Sequence, residues 1–428
     1  MEVIVLVLSF IILLGIGIPV AWSIGMSSLF TMLLSIPSVP ALTTVAQRMA
    51  TGLDSFALLA IPFFILAGQL MNNGGIARRL VDFAKSLVGA LPGGLAHVNI
   101  IAAMLFGAIS GSAVAAATAL GSMLGDRMEA EGYSKPFATA VNVTSSTTGL
   151  VIPPSNILII YSLASGGVSI AALFLAGYLP GILTGLFLML VASFWARRKG
   201  FPLGERSSLR KVFSAFIDAV PSLFLLVVVI GGIVAGIFTA TEASAVAVLY
   251  CFLLALLYGE LSMRDVPGLL LNAVNTTAIV MLLIGTSMSM SWVMAYENIP
   301  QDITSLLLSV SDSKVVILLI INLILLLVGI FMDMTPAVLI FTPVFLPVVT
   351  ELGMDPTHFG IIMVLNLCIG LCTPPVGSIL FVGVSVSGTT IQAVVRPLLP
   401  LFLAMIIALI LVTYIPALSL WLPSLFGL

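Results

Sequence analysis

The chain has 428 residues, of which 61% are hydrophobic and only 7% are charged, and its formal net charge is −2. A soluble domain carries about 25% charged residues, so this composition excludes a soluble protein and predicts an all-α integral membrane protein in a lipid bilayer. The sequence also lacks a basic patch with interleaved aromatic residues, which excludes nucleic acid as a partner.

The first half of the chain, residues 1–196, contains two interrupted apolar segments. Residues 97–125 are rich in Gly, Ala and Ser around Gly107–Ser112, which predicts a re-entrant hairpin with a polar tip. Residues 137–163 contain a Pro-Pro pair and predict a broken helix. Such breaks occur in a membrane only where protein or water covers the backbone. Close packing of ordinary helices through small residues, and a simple kink at the prolines, remain as alternatives.

A basic segment, residues 197–211, separates the two halves of the chain. Its six basic residues are Arg197, Arg198, Lys199, Arg206, Arg210 and Lys211, against the single acid Glu205. The positive-inside rule predicts that this connector lies in the cytoplasm.

The second half, residues 212–428, repeats the pattern of the first at an offset of 221 residues. The phrase Gly-Leu-x-x-Pro-Pro at Gly149–Pro154 recurs at Gly370–Pro375. A second hairpin is predicted over residues 315–349 and a second broken helix over residues 358–386. Helices broken at matching places in two halves are typical of a transporter's binding site. We therefore predict two repeats, inverted relative to each other, although hydropathy alone leaves the number of crossings open.

Three acidic residues stand out from their apolar surroundings. Asp333 lies between long apolar flanks, and an ionisable residue in such a place indicates a functional role, here with an ion or in coupling. Asp54 and Glu242 each open an apolar segment, and we predict that they cap helices or hold a scaffold rather than bind substrate.

Five short motifs resemble those of the large membrane subunit of tripartite ATP-independent periplasmic (TRAP) transporters. They are Ser110–Ala113, Pro153–Ser155, Phe238–Ala243, Met332–Pro336 and Thr373–Gly377. Each motif is weak alone, but their order and spacing are specific, and the resemblance covers essentially the whole chain. It implies an elevator-type secondary transporter, not an enzyme, that takes up a carboxylate with sodium across the cytoplasmic (inner) membrane of a bacterium or archaeon.

The resemblance also implies two protein partners and a set of site residues. The partners are a small four-helix membrane subunit, expected as a separate chain, and a soluble periplasmic substrate-binding protein. The first Na+ site is expected at Ser110, Ser112, Gly149, Ile152 and Pro154. The second is expected at Asp333, Thr335, Gly370, Thr373 and Val376. The substrate is expected between the two tips, near Thr144, Ser145, Ser146 and Thr147. Direct ligation by Asp333, and a further ion, are left open, and no organic cofactor is expected.

Three other functions remain as alternatives. The nearest is a sodium/dicarboxylate symporter that needs no binding protein, but such symporters carry Ser-Asn-Thr at their tips where this chain has Ser-Gly-Ser and Asp-Met-Thr. Paired broken helices disfavour a channel or a structural membrane protein. An intramembrane enzyme would need a catalytic cluster such as His-Glu-x-x-His, which the sequence lacks. C4-dicarboxylates, sugar acids and sialic acid all fit as substrates.

Overall fold

The computed structural model of the chain describes residues 2–201, 208–311 and 313–428, and within these ranges it is helical throughout, with no strand. The helices of the first half are α1 (Glu2–Gly15), α2 (Val20–Ser35), α3 (Ser38–Leu53), a 3-10 helix (Phe56–Leu59), α4 (Ala60–Asn73), α5 (Ile76–Val88), α6 (Gly94–Ser110), α7 (Ala113–Ala130), α8 (Lys135–Val151), α9 (Asn156–Ala164) and α10 (Ile170–Lys199). The helices of the second half are α11 (Leu209–Val234), α12 (Ala240–Leu257), α13 (Val266–Tyr296), α14 (Ile299–Val310), α15 (Lys314–Phe331), α16 (Met334–Glu351), α17 (Pro356–Gly370), α18 (Ser378–Ser387), α19 (Ile391–Tyr414) and α20 (Ala417–Leu425).

Eight helical segments of the described residues are long and apolar enough to cross a membrane, and the bent pair α8–α9 makes a ninth. The prediction of an all-α membrane protein is confirmed at this level. The three cysteines, Cys251, Cys368 and Cys372, are free thiols and are buried in helix contacts.

The helix breaks of the first half lie at the Gly and Pro residues from which they were predicted. Helix α6 ends at Gly111, whose φ of +60° favours glycine and whose N–H bonds the Gly107 carbonyl at 2.9 Å. Ser112 then starts α7 by accepting the Ala115 N–H at 3.2 Å. Helices α8 and α9 meet at a bend of 52°, around the cis bond between Pro153 and Pro154.

The second half has the same sequence of breaks. Helices α15 and α16 are separated only by Met332 and Asp333, and Asp333 is the N-cap of α16. Helices α17 and α18 are separated by residues 371–377, which contain the cis bond Pro374–Pro375. Each half therefore contains a helix pair with a very short turn, followed by a helix broken at a Pro-Pro pair.

The bounds of the helices coincide when the first half is shifted by 221 residues. Shifted in this way, α7 covers 334–351, which are the bounds of α16, and α6 covers 315–331, one residue less than α15. Shifted α2 (241–256) and α8 (356–372) agree with α12 and α17 to within two residues at each end. The correspondence found at the Pro-Pro phrases thus extends far beyond the motifs.

The two broken helices pack against each other in opposite directions. The Cys368 thiol donates to the Thr147 carbonyl at 3.3 Å, and the Cys372 thiol donates to the Val143 carbonyl at 3.5 Å. The step from Cys368 to Cys372, just past the end of α17, is four residues forward, and the step from Thr147 to Val143 on α8 is four residues backward, so the two segments are antiparallel at this contact. Thr147 and Cys368 are also 221 residues apart, so equivalent positions of the two halves meet here.

The helices form two packing groups, and each group mixes both halves of the chain. Helices α1–α4 pack with α11–α13, and the pair α4–α12 has one of the most extensive interfaces. Helices α6–α10 pack with α15–α20, around the buried broken helices. The amphipathic helices α5 and α14 lie between the groups. The sequence halves are therefore interlocked and are not two separate bodies.

Each broken helix touches the preceding hairpin at a pair of glycines. A Cβ atom placed on Gly149 of α8 would lie 2.3 Å from the Gly107 Cα atom of α6. A Cβ atom placed on Gly370 of α17 would lie 2.6 Å from the Gly329 Cα atom of α15. Close packing through small residues, the alternative reading of the first hairpin, is thus present together with the helix break.

The basic connector is only partly described. Arg197, Arg198 and Lys199 form the last turn of α10, and Arg210 and Lys211 lie in the first turn of α11, while residues 202–207, including Glu205 and Arg206, are outside the described residues. The positive-inside rule predicts that this end of α10 lies in the cytoplasm and that its start at Ile170, close to Ser165, lies on the opposite side.

A cysteine-labelling experiment checks this orientation. Because the native thiols are buried, a membrane-impermeant maleimide is expected to label Ser165→Cys in intact cells and Arg198→Cys only after permeabilisation. The unmodified chain serves as the control for background labelling. The reverse pattern would show that α10 crosses the membrane in the opposite direction.

Candidate functional site

Both short turns open into one cavity of about 280 Å³ between the two packing groups. Its walls come from the two turns, from the residues flanking both Pro-Pro breaks, and from α4 and α13. The lining residues are Ile61, Ile65, Gly68, Gln69, Asn72, Ser110, Gly111, Ser112, Ala113, Val114, Ala115, Leu150, Asn156, Ile157, Ile160, Thr276, Val280, Asp333, Met334, Thr335, Leu371 and Ile379. Residues from distant parts of both halves therefore share one site.

The first turn presents two hydroxyls to this cavity. Ser110 is buried, and its Oγ lies 3.4 Å from the Ser112 N–H, which donates to it. The Ser112 hydroxyl accepts the N–H of Ala115 and so fixes the start of α7. The carbonyl of Ser110 lies against α4, where a Cβ on Gly68 would be only 2.7 Å from it. Local hydrogen bonds thus hold the turn, while the hydroxyl oxygens keep lone pairs free to accept further donors or ions.

The second turn presents a carboxylate. Asp333 is exposed to the cavity and does not bond the N–H groups of α16 with its side chain, although it occupies the N-cap position. Thr335, in the first turn of α16, lines the same cavity. Asp333 is the single charged residue among the described residues that line it, and neither Lys nor Arg is among them. The site therefore offers oxygen atoms and one negative charge, the ligands that a hard cation prefers.

Four of the ten residues predicted for the two sodium sites line this cavity: Ser110, Ser112, Asp333 and Thr335. The other six lie on the neighbouring Pro-Pro breaks. Gly149 and Gly370 are in the glycine contacts with the hairpins, and the Ile152 side chain packs on Gly181 of α10. Pro154 faces a small apolar pocket beside Phe64 and Leu225. The Thr373 hydroxyl donates to the Ile369 carbonyl at 2.8 Å, and Val376 is exposed.

The predicted substrate region lies outside the lining of this cavity. Thr144, Ser145, Ser146 and Thr147 are fully buried, and none of them is among the residues that line the cavity. The hydroxyls of Thr144, Ser146 and Thr147 donate to carbonyls of their own helix, and Ser145 donates to Asn99 of α6 at 2.8 Å. These residues are therefore packing positions of α8, because their polar atoms are satisfied inside the helix bundle.

Four polar lining residues were missed by sequence reasoning: Gln69, Asn72, Asn156 and Thr276. The Gln69 amide, turned so that both its ends are satisfied, donates to the Leu269 carbonyl of α13 at 2.9 Å. In the sequence, each of these four residues is recognisable only as a polar residue in or beside an apolar segment. This does not indicate which surface of the helix its side chain faces.

Asp54 and Glu242 lie away from the cavity lining. Glu242 forms a capping box with Thr239 at the start of α12, with its carboxylate 2.8 Å from the Thr239 N–H. Asp54 follows the last residue of α3, and the hydroxyl of Thr241 donates to the carbonyl of Phe56 just beyond it at 2.8 Å. Both acids are thus at helix ends of the α1–α4 and α11–α13 group.

Comparison of the sequence with known proteins gives a family and close relatives. Residues 7–418 match the family described as "Tripartite ATP-independent periplasmic transporter, DctM component". The chain is 58% identical to YgiK of Salmonella typhimurium, over 99% of this chain and 98% of that protein. It is 40% identical to the C4-dicarboxylate TRAP transporter large permease protein DctM of Rhodobacter capsulatus, over 96% of both.

Comparison with solved structures finds the same fold in a protein of distant sequence. The crystal structure of the YdaH transporter of Alcanivorax borkumensis matches with a TM-score of 0.65 at 13% identity, covering 90% of this chain and 89% of that one. At this identity the likeness concerns the fold alone.

Proposed function

Because this chain belongs to the DctM family and is the large permease component of a TRAP transporter, we propose that it couples uptake of a carboxylate to sodium by an elevator movement. The observation that carries the proposal is the shared cavity, in which both short turns face α4 and α13. The group of α6–α10 and α15–α20 is the moving unit, and the group of α1–α4 and α11–α13 is the scaffold. Helices α5 and α14 connect the two.

We infer that the two halves form an inverted repeat, which is consistent with this mechanism. The helix bounds coincide at an offset of 221, and α8 and α17 are antiparallel where the equivalent Thr147 and Cys368 meet. In an inverted repeat, each half presents its turn and its broken helix to the same place from opposite sides of the membrane. Small movements of the whole unit then expose one site alternately to the two sides.

Sodium coupling follows from the chemistry of the cavity. Two serine hydroxyls at the first turn, and Asp333 with Thr335 at the second, provide oxygen ligands in a site without Lys or Arg among its described residues. A carboxylate substrate would be repelled by Asp333 unless a cation lies between them. The two sites differ in charge, so we expect unequal sodium affinities.

We infer that the cavity opens towards the cytoplasm in this conformation. Asn72, exposed in the last turn of α4, lines the cavity, and α4 is followed directly by α5 with its basic residues Arg78, Arg79 and Lys85. Arg78 pairs with Glu260 in the loop before α13. The positive-inside rule places this end of the scaffold in the cytoplasm, so the exit for substrate is on that side.

The partners follow from membership in a tripartite family. We propose a small membrane subunit on the scaffold, as a separate chain, and a periplasmic binding protein that delivers the substrate and sets most of its specificity. The membrane is the cytoplasmic membrane of a bacterium or archaeon. C4-dicarboxylates, sugar acids and sialic acid remain substrates to be tested.

Uptake by reconstituted protein tests the proposal. The chain and its small subunit are placed in proteoliposomes, and uptake of radiolabelled succinate, gluconate and sialic acid is measured with and without the binding protein, under an inward sodium gradient. We expect uptake of one of the three only with both sodium and binding protein. Equal uptake when potassium replaces sodium would refute sodium coupling, and uptake without binding protein would favour the independent symporter.

A further inference from the structure

We propose that Asn156 supplies an amide oxygen to the cation at the first hairpin tip, a ligand that the serine and carbonyl set does not include. This proposal deepens the sodium coupling proposed above and rests on it. Asn156 is the first residue of α9, directly after the Pro-Pro break, and it lines the cavity together with Ser110 and Ser112.

The carboxamide of Asn156 lies against the tip itself. A Cβ atom on Gly111 would be 3.0 Å from Asn156 Nδ2 and 3.7 Å from its backbone nitrogen. Gly111 has φ of +60°, so glycine suits this position both for its backbone and for the approach of the amide. The side chain of Asn156 therefore brings the broken helix of the first half into contact with the turn between α6 and α7.

The oxygen of this amide is without a partner. Asn156 Oδ1 is buried, and no hydrogen bond to it is found in the described part of the chain. Buried polar atoms in native proteins are nearly always paired, so an orphaned acceptor indicates a missing water, ion or ligand. Asn156 lines the same cavity as Ser110 and Ser112, and an all-oxygen set suits a hard cation better than it suits an anion.

The second half of the chain has no equivalent of the Asn156 side chain, because the equivalent position has no space for one. At the offset of 221, Asn156 corresponds to Gly377, where a Cβ would lie 2.7 Å from the Leu371 carbonyl and 2.9 Å from the Thr373 carbonyl. No side chain fits at that position. The second turn instead has Asp333 where the first has Ser112. Each half thus adds one strong oxygen ligand, from the broken helix in the first and from the hairpin in the second.

Sodium titration of thermal unfolding tests the role of Asn156 without measuring transport. The chain is purified with its small subunit, and the melting temperature is followed against sodium at constant ionic strength, with choline as the replacement. Because a bound ion stabilises the folded state by mass action, the titration gives the half-effective sodium concentration. We expect Asn156→Leu to raise the half-effective sodium concentration about tenfold, which corresponds to a loss of about 1.4 kcal/mol of binding free energy. We expect Asn156→Asp to keep this concentration near or below the wild-type value.

Asn73→Leu is the matched control, because Asn73 is exposed at the end of α4 and does not line the cavity. It should leave the half-effective concentration unchanged. Repeating the comparison in an Asp333→Asn background isolates the first site.

An unchanged half-effective concentration in Asn156→Leu, with sodium stabilisation intact in the wild type, overturns the proposal. Equal increases of the half-effective sodium concentration in Asn156→Leu and Asn156→Asp would also overturn the proposal, since the amide would then stabilise the hairpin tip without binding the ion. Absence of any sodium stabilisation in the wild type would instead remove the sodium coupling on which the proposal rests.

Discussion

Asp333→Ala is expected to abolish sodium-driven uptake while the protein remains in the membrane. Asp333 is the single charge among the described residues that line the cavity, and it faces the site from the turn between α15 and α16. Loss of a group that binds or orients a metal ion lowers metal affinity by about 10- to 100-fold, so uptake should fall by up to that factor at sodium concentrations below half-saturation. The measurement is initial uptake in proteoliposomes, normalised to the reconstituted protein.

Two further variants separate charge from shape at this position. Asp333→Asn keeps the side-chain volume and removes the charge, and it should be impaired nearly as much as the alanine variant. Asp302→Ala, in the exposed first turn of α14, is the control and should transport normally. Sodium-dependent uptake at the wild-type rate in Asp333→Ala would remove this residue from the mechanism.

Gly149→Ala is expected to lower the stability of the purified protein markedly. The added Cβ would lie 2.3 Å from the Gly107 Cα atom, and the backbone of α6 cannot move aside as a flexible side chain could. Overpacking of a well-packed core costs about 1–3 kcal/mol and occasionally more, and a contact with main chain belongs at the upper end of that range. The melting temperature, measured in sodium-free buffer so that ion binding does not contribute, should fall by several degrees.

Gly125→Ala provides the matched control for this prediction. Gly125 lies in α7 of the same hairpin, and an added Cβ there meets nothing within 4 Å. Alanine is a better helix former than glycine, so the control should be as stable as the wild type or more so. Gly370→Ala should repeat the effect of Gly149→Ala, because its Cβ would be 2.6 Å from Gly329 Cα. Equal melting temperatures for Gly149→Ala and Gly125→Ala would contradict the proposed close contact.

Sequence and structure agree best where the signal is local. Gly111, the Pro-Pro pairs and Asp333 each interrupt an apolar run, and each lies at a helix break in the structure. A break of this kind depends on the φ angle that glycine allows, on the N–H that proline lacks, or on the non-helical backbone of an N-cap residue, all of which are properties of single residues. The family was predicted from the order of these motifs, and the match over residues 7–418 confirms it.

The hydroxyl-rich stretch of α8 shows what its sequence leaves undecided. The family resemblance implied a substrate near Thr144, Ser145, Ser146 and Thr147, but serine and threonine can satisfy their hydroxyls on the carbonyl one turn back. Thr144 and Ser146 do so, and Ser145 bonds Asn99 across the helix contact. A residue's polarity therefore did not reveal whether its side chain faces a ligand or its own backbone.

The sequence by itself determined that this is a helical membrane protein of the DctM family, and it placed the helix breaks, because composition, glycine, proline and isolated charge act within a few residues of where they stand. Only the tertiary structure decided which residues share the site. Asn156, Asn72 and Thr276 come from three helices distant in the chain, and they meet around one cavity because α4 and α13 pack against the group of helices that contains both breaks. Helix contacts between remote segments are set by the packing of whole surfaces, which no local pattern encodes.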